Sequence, residues 1–64
     1  MVRIYRVSFT GEKWITKRDG DLTVGIDHTQ QQAIEKAKRK AIADRCKVEW
    51  EDREGNYQGG TSYE

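Results

Sequence analysis

His28 and Cys46 are the two side chains in this sequence versatile enough to serve as nucleophile, acid–base group or metal ligand, and each is the only one of its type. Catalysis needs groups that tune one another's pKa or geometry. His28 stands just before an expected helix start and reads as a polar loop residue. Cys46 has neither a second cysteine nor a neighbouring histidine in sequence, so it reads as a structural thiol, buried or half-buried. One Cys and one His also fall short of a structural zinc site. Glu49, Glu51, Asp52 and Glu54 form an acidic run, but alternation along a strand sets Glu49 and Glu51 on one solvent-facing surface. The spacing is not that of a calcium loop. Gly59-Gly60 lacks the strand–glycine–helix context of a phosphate loop, and no dinucleotide fingerprint is present. The expectation is a protein that is not an enzyme, with no catalytic residue, no cofactor and no metal.

Surfaces are then the candidates. The 64 residues carry a formal net charge of +1, which is not the footprint of a strongly basic nucleic-acid binder. The charges are unevenly spread, however. Residues 30–47 hold six basic and two acidic side chains, and residues 48–64 hold one basic and five acidic. Such asymmetry steers charged partners or is neutralised within the fold. With a single cysteine no intrachain disulfide forms, and no apolar run resembles a signal peptide or a membrane span. A cytoplasmic protein without membrane contact is expected.

The elements that must position these residues follow from periodicity. Residues 2–9 are rich in β-branched and aromatic side chains and read as a strand, and 13–18 as a second. Asp19-Gly20 between them and the next strand is a strong hairpin signal, because a tight turn of this kind needs positive φ at both positions. In 21–26, Leu22, Val24 and Ile26 alternate with Asp21, Thr23 and Gly25, the pattern of one half-buried strand. The period then changes. Thr29 followed by Gln32 has the form of a capping box, and 30–45 is alanine- and lysine-rich. Ala33, Ala37, Ala41 and Ile34 share a narrow helical face, which would let the helix lie close on a sheet. Residues 46–52 read as a strand with Val48 and Trp50 inward, Trp50 largely buried, and 56–58 as a short last one.

The expected fold class is α+β, in the order β-β-β-α-β-β, with a mostly antiparallel sheet and one helix on one face. Residues 1–58 form the single domain, and residues 59–64 a loose C-terminal tail.

Trp14 and Lys17, Asp19-Gly20, Thr29-Gln30, Gln32-Ala33-Ile34 with Ala37, then Gly55 and Ser62-Tyr63, occur in an order that resembles the domain of unknown function 2188 family. These are short proteins of bacteria and their mobile elements. Gln32 stands where such proteins usually carry an acidic residue. The resemblance covers most of residues 13–63 and implies a fold without a function or site residues.

Two surfaces result. If Tyr5, Val7, Phe9, Trp14, Thr16 and Leu22 face the helix, then Ile4, Arg6, Lys13, Ile15 and Lys17 lie on the open sheet face, where isoleucines mix with cations. The competing assignment of the second strand turns Trp14 outward and Ile15 inward. The other surface is the outer helix, with Lys36, Arg39 and Lys40 near an off-face Ile42. The candidate partner-binding residues are therefore Arg6, Lys13, Ile15, Lys17, Lys36, Arg39 and Lys40. The expected function is a small non-catalytic module that binds a protein, as an accessory or phage-type modulator of a larger host protein. The alternative is nucleic-acid binding by the basic helix or the sheet face. Homo-oligomers through a sheet edge or the open sheet face are a further expectation.

Overall fold

In the computed structural model, which describes residues 2–64, the chain folds as β1 (Ile4–Phe9), β2 (Trp14–Arg18), β3 (Leu22–Asp27), α1 (Gln30–Asp44), β4 (Lys47–Glu51) and β5 (Tyr57–Ser62). This is the α+β arrangement expected. The sheet order is β3-β2-β1-β4-β5. The β1–β4 pair is parallel and the other three are antiparallel. The single parallel pair exists because α1 carries the chain over the sheet between β3 and β4, as a parallel neighbour requires.

Local chemistry explains the joints. Asp19 and Gly20 both have positive φ, 53° and 89°, and the Asp21 N–H donates to the Arg18 carbonyl. The Asp19 carboxylate also accepts the N–H groups of Arg3 and Ile4 at 2.8 and 3.1 Å, so the β2–β3 turn pins the start of β1. Those two backbone donors hold the Asp19 carboxyl below its ordinary range. At the helix start, Thr29 Oγ1 accepts the Gln32 N–H at 3.2 Å, one of the donors a helix leaves unpaired. At its end, Arg45 takes the left-handed conformation (φ 53°), and its N–H reaches the Ala41 and Ile42 carbonyls. The helix thus stops one residue earlier than its sequence pattern suggests, with Arg45 as its cap.

The core lies between α1 and the sheet. Ala33, Ala37 and Ala41 present almost no side chain beyond Cβ, so the helix settles onto Tyr5, Val7, Trp14, Cys46 and Val48. Trp14 is 4% exposed, which resolves the ambiguity of β2: Trp14 faces the helix and Ile15 the opposite side. Phe9 packs beside it with ring centroids 4.8 Å apart. Tyr5 donates its hydroxyl to the Asp44 carboxylate. Burial, and then that hydrogen bond, push the Tyr5 hydroxyl up to about 12.

Three expectations are corrected. First, β3 does not keep one face. Thr16 pairs with Gly25 but Lys17 with Thr23, so Val24 is an extra residue that reverses the alternation. Val24 packs against the core. Ile26, opposite Ile15, is turned to the open face and is 60% exposed, while Leu22, expected inward, is also exposed. Second, Gly59–Ser62 are not a loose tail, because they pair with β4 from Trp50 to Lys47. A Cβ on Gly59 would lie 2.8 Å from the Trp50 ring, and one on Gly60 would lie 3.2 Å from the Tyr57 hydroxyl. The Trp50 ring therefore lies over Gly59 on one face and the Tyr57 hydroxyl beside Gly60 on the other, bracing a strand that glycine alone would leave soft. The chain then continues to Tyr63, whose N–H donates to the Cys46 carbonyl. Third, Trp50 is only half-buried. It faces the helix side as expected, but α1 packs over β1 to β4 and leaves the margin next to β5 uncovered.

Candidate interaction surfaces

Side-chain alternation and register assemble the open face. Ile15 stands opposite Ser8 on β1 and Ile26 on β3. In the next row Lys17 stands opposite Arg6 and Thr23, and Arg6 opposite Glu49. The result is an apolar pair, Ile15 and Ile26, on the side of the sheet away from the helix, bordered by Lys17. Arg6 is not a free cation: its Nη2 lies 2.8 Å from Glu49 Oε1. A pair this exposed contributes at most about 1 kcal/mol to stability, but it removes one positive charge from the face. Lys17 forms no ion pair or side-chain hydrogen bond among the described residues. Lys13 sits in the β1–β2 turn, where its carbonyl accepts from Thr10.

The helix cations behave differently from one another. Lys36 Nζ lies 2.7 Å from Asp27 Oδ1. Asp27 is 6% exposed and faces the helix beside Trp14, so Lys36 balances a buried carboxylate while its own body stays in solvent. Asp27 Oδ2 and Thr16 Oγ1 are buried without a hydrogen-bond partner among the described residues. Both border the space beside Gly25, 4.0 and 3.7 Å from where a Cβ would stand. Lys36 was expected to be a free surface cation and is instead part of the fold. Arg39 is exposed and Lys40 half-buried, and neither forms an ion pair among the described residues. Lys36 and Arg39 line a groove of about 350 Å³ with Ile26, Asp27 and Gln32, between the edge of β3 and α1.

The seven sequence-derived candidates therefore divide. Arg6, Ile15 and Lys17 come together on the open face. Lys36, Arg39 and Lys40 lie on the helix, on the other side of the sheet, and Lys13 is at a turn. Ile26 belongs to the open-face group and was missed, because strict alternation placed it inward; no signal in 21–26 marks Val24 as the extra residue. Asp27 was missed as well, since nothing in a strand-ending aspartate announces a buried partner for a lysine nine positions on.

The two versatile residues remain apart. Cys46 is buried, and burial, followed by the nearby Asp44 charge, raises its thiol. His28 borders a cleft of about 360 Å³ at the end of the sheet where α1 begins, with Trp14, Gln30, Asp52 and Arg53. Among the described residues no three His, Cys, Asp or Glu side chains are grouped so as to hold a metal ion. No helix there is long and apolar enough to cross a membrane.

A family model described as an uncharacterized protein conserved in bacteria, DUF2188, matches residues 5–63. The chain belongs to the DUF2188 family. No curated protein and no solved structure matches it. In the structure, the residues that carried the DUF2188 resemblance mostly have architectural roles: Trp14 in the core, Asp19-Gly20 and Gly55 at turns, Thr29 as cap, Ala33 and Ala37 under the helix. Lys17 has no such role, and its side chain forms no ion pair or hydrogen bond among the described residues.

Proposed function

We propose that this DUF2188 chain is a small non-catalytic module that binds a protein through the open sheet face around Ile15, Lys17 and Ile26. One observation carries the reading: on the open sheet face the exposed Ile26 stands opposite a half-buried Ile15, beside Lys17, which has no ion-pair or hydrogen-bond partner among the described residues. An apolar centre with a polar border is how protein contact patches are built. The charges on the same face argue in the same direction. Arg6 is neutralised by Glu49, and Glu51 stands two residues further along β4, so the face has no run of free cations to follow a phosphate backbone. We place the module in the bacterial cytoplasm as an accessory or phage-type protein acting on a larger host protein. Prophage or mobile-element genes beside its own would support that role.

The test compares two double variants in partner capture from the producing bacterium, with crosslinking before lysis. Ile15→Asp/Lys17→Glu loses the captured protein, whereas Arg39→Glu/Lys40→Glu retains it. The reverse result assigns the helix face, and retention by both refutes the proposal. Capture of DNA or RNA in place of protein, lost steeply as salt rises, would transfer the function to nucleic-acid recognition.

A further inference from the structure

The two edges of the sheet differ in how they are protected against pairing with another strand. An exposed edge offers unpaired N–H and C=O groups to any extended chain, and proteins guard such edges with bulges, charges, prolines or inward-pointing charged residues. β3 has two of these devices. Its bulge at Val24 breaks the strand in the middle, and Asp27 places a buried carboxylate on the edge strand itself. β5 has much less. Its six residues, Tyr57 to Ser62, contain no charged side chain and no proline. Its one irregularity, where Trp50 pairs with Gly59 and Glu51 with Tyr57, falls near the start of the strand and leaves Gly59–Ser62 regular. This is notable in a chain of which 36% is charged.

β5 is also braced and left bare. The Trp50 ring lies over Gly59 and the Tyr57 hydroxyl beside Gly60, and every residue of the strand except Gly59 is exposed. On the helix side, Lys38 lies 5.2 Å from the Trp50 ring, and Ile42, one helical turn further along the same stripe, is 54% exposed. On the other side Tyr57 is 68% exposed. Apolar groups, Trp50 on the helix side and Tyr57 on the other, thus lie beside the unguarded edge on both faces.

We infer that β5 pairs antiparallel with β5 of a second copy of this chain, continuing the sheet across a two-fold axis. A second copy fits because the strand is charge-free: set against itself, it opposes no like charges. The two-fold operation also sets the exposed Tyr57 of both copies on the same face of the continued sheet. A single strand edge falls below the ~1,200 Å² of a standard stable interface, so the association is weak, with Kd in roughly the micromolar to millimolar range. This inference is independent of the proposed partner face, which lies toward β2 and β3.

Sedimentation equilibrium from about 10 μM to about 1 mM tests it on the intact chain, alongside Thr61→Lys and Thr23→Lys. Both substituted positions are exposed, one on each edge strand, and circular dichroism checks that both variants fold. The expected result is a monomer–dimer equilibrium that Thr61→Lys weakens at least tenfold and Thr23→Lys leaves unchanged. Amide exchange at Gly59–Ser62 should slow with concentration while exchange in β3 does not. A wild-type chain that stays monomeric throughout would overturn the inference. So would association that survives Thr61→Lys, or that is lost in Thr23→Lys instead. If Thr61→Lys fails to fold, concentration-independent exchange at Gly59–Ser62 in the wild type overturns it as well.

Discussion

Lys36 and Asp27 show how an exposed residue can be tied to the core through a buried partner. The ammonium sits 2.7 Å from a carboxylate that is itself buried, and the other oxygen of that carboxylate has no hydrogen-bond partner among the described residues. Removing Lys36 would leave a buried acceptor without its cation, a loss that costs about 1–3 kcal/mol. Lys36→Ala should therefore lower the urea midpoint clearly, while Arg39→Ala, on the same helix but unpaired, should shift stability by less than about 0.5 kcal/mol. Lys36→Glu should be worse than Lys36→Ala, since it sets two carboxylates against each other. Equal midpoints for Lys36→Ala and Arg39→Ala would mean that the Asp27 pair contributes nothing. For the same reason Lys36 is left unchanged in any charge reversal meant to probe binding.

Among the elements, β5 departs furthest from its composition. A strand with two adjacent glycines has low intrinsic preference for extended structure, yet it closes the sheet because Trp50 on β4 covers Gly59 and Tyr57, at the start of β5 itself, reaches Gly60. The fit is tight: a Cβ on Gly60 would stand 2.8 Å from the Val48 carbonyl oxygen, a backbone atom that cannot turn aside. Gly60→Ala should cost about 1–3 kcal/mol, in the range of overpacked sites, whereas Thr61→Ala next to it, exposed on the strand, should be nearly neutral. Thermal melts of the two variants decide the point. A Gly60→Ala protein as stable as the parent would show that β5 is not held by this close approach.

At the scale of the whole molecule, a chain this short buries one thin layer of side chains, and stability rests on few of them. The two tryptophans separate core from margin. Trp14 lies in the core beside the start of the helix at 4% exposure. Its replacement by Ala should cost about 3–5 kcal/mol, close to the full stability of so small a domain. Trp50 lies at the uncovered margin beside β5, so Trp50→Ala should cost less than that range and leave a cooperative transition. Circular dichroism and denaturant melts of both variants check the ordering. A Trp50→Ala chain that is unfolded while Trp14→Ala still melts cooperatively would reverse it.

Much of this architecture was legible from residue types and spacing. The Asp19-Gly20 turn, the Thr29 cap, the alanine face of α1 and the strand order along the chain all depend on interactions within a few residues, and local chemistry suffices for those. Alternation along β2 gave two assignments, and the burial of Trp14 chose the one that turns Ile15 and Lys17 to the open face. Ile26, Asp27 and β5 were misread or missed because their environments are set by neighbours distant in sequence. The bulge at Val24 exists only as a mismatch between two paired strands, and the ion pair of Asp27 depends on how α1 crosses β3. The glycines of β5 are ordered by rings from Trp50 and Tyr57, one of them on another strand. Periodicity describes a strand by itself; which face it shows, and what covers it, is settled when strands pair and the helix lands.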